Sequence, residues 1–140
     1  IEIDEATGQV TPLEVWSAHD IGKAINPASV AGQVEGGVVQ GIGYALYEEM
    51  VWDTGRLANP SLMDYKIAGT MDAPPKINTI LIEEPDETGP FGAKGIGEPP
   101  IVGIAPAIAN ALTHATGIQL KQLPMTPERV LNALEQKNEI

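Results

Sequence analysis

The stretch ASVAGQVEGGVVQGIGYAL, residues 28–46, constrains the fold more than any other. Val30, Val34, Val38, Ile42 and Leu46 fall four apart and make one apolar stripe of a helix. Gly32, Gly36, Gly37, Gly41 and Gly43 are threaded through the same stretch, each costing roughly 1 kcal/mol against Ala in a helix interior. A helix that keeps such glycines lets another backbone, or a ligand, come very close. Asn26 suits the N-cap and Pro27 the first helical position, so a helix is expected over residues 27–47.

Elements of both kinds flank this helix. IEIDE, residues 1–5, alternates apolar and polar residues as a strand does, and ATGQ follows as a turn. VTPLEVWSAHDIG then reads as a second strand in a hairpin with the first, with Pro12 demoting its start to an edge or a bulge. Turns are expected at Asp53–Gly55 and at Asn59–Pro60. KINTILIEEP, residues 76–85, is the clearest strand, and residues 85–100 form a loop rich in glycine and proline. PIVGIAPAIANALTHATG reads as a buried helix stopped by Gly117. Thr126 and Pro127 open a final helix. Strands and helices do not alternate regularly. The expectation is therefore an α+β fold, a mixed sheet with packed helices, as one domain over residues 1–140. The opening, IEIDEATGQV, reads as mid-strand and has no initiator Met, as expected of a segment of a longer protein.

Charge and cysteine content exclude several functions. A net charge of −11 argues against nucleic acid or an anionic membrane as partner, since both are held by Lys and Arg. The absence of cysteine removes disulfides, thiolate metal sites and iron–sulfur clusters from this chain. A cytoplasmic location is the matching expectation. No apolar run approaches the roughly 18 residues of a membrane span.

Chemistry is concentrated in GAKGIGEPP, residues 92–100. Gly92, Gly95 and Gly97 let the backbone turn and leave N–H groups uncovered, and Pro99 and Pro100 stiffen the exit. A glutamate held there, Glu98, is either a surface residue or a fixed general base. Burial against apolar atoms would raise its pKa toward the working pH of a base. Lys94 is open to pairing with an anion, to pairing with Glu98, or to plain solvation. The Gln33 amide offers donors and an acceptor to a heterocycle edge, and Gly36 and Gly37 lie one turn on. A tight contact between two elements explains those glycines equally well. His19 and Asp20 lack the further partners of a metal site, and His114 stands alone. Ser17 and Ser61 have no base nearby in sequence, so a hydrolase triad has no support.

Taken together, AHDIGKAINP, GQVEGGVVQGIGYAL and GPFGAKGIGEPP, in that order, resemble the C-terminal part of the molybdenum-binding subunit of the xanthine dehydrogenase and aldehyde oxidase family. The resemblance runs from the first strand to PMTPERVLNAL. It implies a molybdenum–molybdopterin cofactor, in bacteria usually the cytosine dinucleotide form, with iron–sulfur clusters and FAD on partner subunits or domains. Glu98 matches the family's general base, which takes a proton from a molybdenum-bound hydroxyl as an electron-poor carbon of a heterocycle or aldehyde is hydroxylated. Gln33 matches a glutamine lying against the pterin. Gly36, Gly92, Ala93, Lys94 and Gly95 are candidates for close approach to the cofactor, and no metal ligand is assigned to this chain. Much of the cofactor cage and the substrate-gating residues lie upstream in the family. The expected partners are therefore the rest of the molybdenum subunit and the iron–sulfur and FAD subunits, and the chain alone is expected to be inactive. The alternative is a non-catalytic structural or interaction domain that kept the fold and binds no cofactor.

Overall fold

The computed structural model describes residues 1–138. Its longest element is the glycine-threaded helix α1, Pro27–Leu46. The Asn26 side chain accepts a hydrogen bond from the Ser29 N–H at 3.1 Å, which satisfies one of the free donors of the first turn. Val34, Val38, Ile42, Ala45 and Leu46 are fully or almost fully buried, while Val30 at the head of the stripe is only half-buried.

Among the described residues, the strands form three two-stranded units. Strands β1, Glu2–Asp4, and β2, Gln9–Thr11, form the expected antiparallel hairpin. The second expected strand, however, does not continue the hairpin. It breaks at Pro12 and Leu13, and β3, Glu14–Asp20, leaves to pair in parallel with β6, Lys76–Ile82. Pro12 has no N–H to give to a ladder, so the chain changes partner there. The β3–β6 register runs from Glu14 opposite Lys76 to Asp20 opposite Ile82. A Glu14–Lys76 ion pair and the Asn78 amide, which donates to Glu14 Oε1 at 2.8 Å, fix its first end. The small hairpin β4, Trp52–Asp53, and β5, Arg56–Leu57, turns through the expected Thr54 and Gly55. The α+β architecture with mixed strand pairing holds, divided among these three units.

The expected helix after the loop is two helices. Helix α2, Pro99–Val102, is followed at Gly103 by α3, Ile104–Thr116. Pro106 explains the break: it cannot donate to the Val102 carbonyl, and its ring crowds that carbonyl. It is tolerated in the first turn of α3, where an N–H has no helical partner in any case. Gly117 ends α3 with φ 75°, as the sequence suggested. Helix α4, Pro127–Asn138, starts behind Thr126. The core joins α1 to Ile104, Ala105, Ile108 and Leu112 of α3, to Val130 and Leu134 of α4, and to Val10, Ile118 and Met125. No helix among the described residues is long and apolar enough to cross a membrane.

Much apolar surface stays uncovered. Trp16, Trp52, Leu62, Met63 and Met71 are 62–95% exposed, most of them in the irregular segment between α1 and β6.

Candidate active site

The glycine- and proline-rich loop is fastened to the end of β3. Ile21 N–H donates to the Ile82 carbonyl at 3.0 Å, and Lys23 N–H donates to the Gly92 carbonyl at 2.8 Å. Asp86 N–H shares that carbonyl at 3.0 Å, and Lys94 N–H donates to the Ile21 carbonyl at 2.9 Å. Gly22 and Ala93 face each other in an isolated antiparallel bridge. The approach is close enough to demand glycine: Gly22 has φ +63°, and a Cβ there would lie 2.2 Å from the Gly92 carbonyl oxygen. Within the loop, Asp86 Oδ1 accepts from the Thr88 N–H and hydroxyl at 2.7 and 2.6 Å. Those bonds, the hydroxyl's first, hold its carboxyl below the usual range.

Beyond Lys94 the chain swings toward α1. Ile96 packs against the core. The Gln33 amide then donates to the Gly97 carbonyl at 2.8 Å, spanning 64 residues of sequence. Glu98 follows at once and heads α2. Gly37 of α1 sits against Pro100, where an added Cβ would be 2.5 Å from the proline Cβ. Gly37, Gln40, Gly97, Glu98, Ile101 and Val102 line a cleft of about 280 Å³.

The candidates therefore fall into two groups. Gln33 and Glu98 come together through Gly97. Gly36 lies on α1 three residues from Gln33, and nothing lies within 4 Å of a Cβ added at Gly36, Gly95 or Gly97. Among the described residues, the N–H groups of Gly95, Ile96, Gly97 and Glu98 have no protein acceptor. The polar groups of Gly92 and Lys94, with Ala93 between them, instead join the loop to β3. The Lys94 ammonium does not meet Glu98. It is paired with Asp20 Oδ2 at 2.5 Å, which raises the Lys94 pKa. The same hydrogen bond, with a second from the Gly22 N–H, lowers that of Asp20.

Glu98 is exposed in this chain. The apolar enclosure that would raise the pKa of a base is not formed by these residues. For Gly36 and Gly37 the two sequence explanations divide: Gly37 serves a tight helix contact, and Gly36 faces open space. Sequence reasoning missed Gln40, although its place seven residues after Gln33 puts both on one helix face. It also missed Asp20, whose partner lies 74 residues away. Ser17 does have a base, contrary to expectation: its hydroxyl lies 2.8 Å from His19 Nε2, since residues two apart on a strand share a face. That hydroxyl belongs to a residue only 8% exposed, so it presents no open nucleophile. No three His, Cys, Asp or Glu side chains among the described residues cluster as a metal site.

Residues 1–74 match the family model of the molybdopterin cofactor-binding domain. The chain belongs to this family. The domain is 41% identical over 132 residues to the xanthine dehydrogenase molybdenum-binding subunit of Escherichia coli O157:H7, covering 93% of this chain and 17% of that protein. It is also 41% identical over 137 residues to the nicotine 6-hydroxylase large subunit of Paenarthrobacter nicotinovorans, covering 95% and 17%. The solved aldehyde oxidoreductase of Desulfovibrio gigas superimposes with a TM-score of 0.85 at 36% identity, over 95% of this chain and 14% of that one. The domain thus spans under a fifth of the length of the relatives it matches, and it is a molybdopterin cofactor-binding domain of xanthine dehydrogenase and aldehyde oxidoreductase type.

Proposed function

We propose that this domain provides the general base and one wall of the cofactor site in a molybdenum hydroxylase acting on an electron-poor carbon of a heterocycle or aldehyde. The hydrogen bond from Gln33 to the carbonyl just before Glu98 carries the reading, because it joins the two positions that the family resemblance singles out.

The residues fit the cofactor. Side-chain-free backbone at Gly36, Gly95 and Gly97 leaves a surface that a flat group can approach. The free N–H groups of residues 95–98 and the unused Oε1 of Gln33 offer donors and an acceptor to a pterin edge. Gly92, Ala93 and Lys94 form the frame that holds this surface. When bound, molybdopterin supplies a metal that acidifies water and takes up the two electrons of the oxidation. The chain's own contribution is then positional. Gln33 and Pro99–Pro100 hold Glu98 from either side, and its carboxylate accepts one proton over a short distance, so placement matters more than raw basicity. Gln40 and Val102 edge the cleft through which a small substrate would reach that carboxylate.

The same reading places the domain toward the C-terminal end of a molybdenum subunit in the cytoplasm, as a single domain over residues 1–140. The rest of that subunit encloses Glu98, and iron–sulfur and FAD subunits carry electrons away. The cofactor is the cytosine dinucleotide form. Subunit designations among the relatives agree with a multi-subunit enzyme. Metal and pterin analysis of the chain coexpressed with the remainder of its enzyme tests the proposal. Copurifying molybdenum is expected, and its consistent absence would favour a non-catalytic module.

A further inference from the structure

This inference rests on Glu98 being the base and asks what holds its loop in place. Residues 85–100 contain no strand, and the one helical turn before α2, Pro90–Gly92, bends through Phe91 at φ 55°. The fastening between loop and β3 ends at Lys94, the last residue before the open Gly95. There, Asp20 uses both carboxylate oxygens. Oδ1 accepts from the Gly22 N–H at 3.1 Å, and Oδ2 accepts from the Lys94 ammonium at 2.5 Å. One side chain therefore fixes both the turn that receives the loop and the loop itself. The next polar attachment is the Gln33 amide at Gly97, just after Ile96, which packs against the core. Only Gly95 and Ile96 lie between the two pins, and Glu98 follows the second.

The geometry points to Asp20 and Lys94 as positioning residues for Glu98: their ion pair latches the loop to the end of β3, and the Lys94 ammonium is a structural tether instead of a cofactor ligand. The side chains are 42% and 31% exposed, respectively. Pairs this open contribute little to global stability. The effect of the latch is on geometry: the glycines on either side of Ile96 let the backbone turn, and only the Ile96 contact with the core and the Gln33 bond hold the span once Lys94 is released.

The test uses the assembled enzyme carrying Asp20→Asn, Lys94→Met or Lys94→Arg. The readouts are amide hydrogen exchange at positions 23 and 94, whose N–H groups close the fastening, molybdenum content, and kcat and KM separately. Asp20→Asn and Lys94→Met are expected to speed exchange at positions 23 and 94. They should lower kcat about tenfold to a hundredfold, the penalty of a misplacement near 1 Å, with KM and molybdenum content unchanged. Lys94→Arg should keep slow exchange and most of kcat. Unaltered exchange in both single variants would overturn the latch. So would loss of molybdenum from Lys94→Met with kcat per bound metal intact, which would make Lys94 a cofactor ligand. Glu98→Gln, measured alongside, separates the two ideas: full turnover there removes the base while leaving the exchange result to judge the latch.

Discussion

Gly36 and Gly37 are neighbours in one helix, and alanine should act on them in opposite directions. Alanine at either position gains roughly 1 kcal/mol of helix propensity. At Gly36 nothing lies within 4 Å of the new methyl group, so that gain stands alone. At Gly37 the methyl would sit 2.5 Å from Pro100 Cβ and 3.3 Å from its Cγ. Carbon contacts settle near about 3.5–4.0 Å, so α1 and α2 must part by about 1 Å. Pro100 is buried and its ring cannot rotate away. Overpacking of this kind costs about 1–3 kcal/mol, which cancels or exceeds the propensity gain. Gly37→Ala should therefore be less stable than Gly36→Ala by about 1–3 kcal/mol in urea denaturation at 25 °C. Because Glu98 lies two residues before Pro100, the same shift should lower kcat per molybdenum about a hundredfold in the assembled enzyme. Gly36→Ala should instead weaken cofactor retention. Equal stability and equal kcat for the two variants would refute the packing argument.

Two further outcomes follow from individual contacts. Asn26→Ala removes the N-cap of α1 and should lower stability by about 1 kcal/mol in the same assay. The Asp20–Lys94 pair should respond to pH at both extremes, read as amide protection at Lys23 and Lys94. The Asp20 carboxyl is held below its ordinary 3.8 by Lys94 and the Gly22 N–H, so its contribution is complete above that value and lost as pH falls below it. The Lys94 ammonium is held above its ordinary 10.5 by Asp20, so its contribution persists below that value and is lost as pH rises beyond it. The protection factor, exchange relative to an unstructured amide at the same pH, should be level across neutral pH and fall only in strong acid and strong alkali.

Local signals in the sequence proved sound. The cap at Asn26, the four-residue spacing of Val34, Val38 and Ile42, and the stop at Gly117 each act within a turn or two of helix, and the structure has them where they were expected. The break at Gly103 was not read, since PIVGIAPAIANALTHATG was expected as one helix, although Pro106 bars a hydrogen bond to Val102 whatever surrounds it. The pairing of β3 was not legible. A hairpin announces itself by a short turn, whereas a parallel partner 62 residues away leaves no local trace. The site divides along the same line. Glycines and prolines marked the Glu98 loop as rigid and open, yet the partners that fix it, Gln33 at Gly97 and Asp20 at Lys94, are tertiary contacts. The surroundings of Glu98 lie further out of reach, because atoms outside these residues would have to supply its apolar enclosure.

Glu98→Gln in the assembled enzyme tests the central claim most directly, because it keeps the size of the side chain and removes its ability to take a proton. With molybdenum content measured on the same sample, kcat should fall about 10²- to 10⁴-fold while bound metal stays at the unsubstituted level. Turnover retained at full metal occupancy would contradict the account.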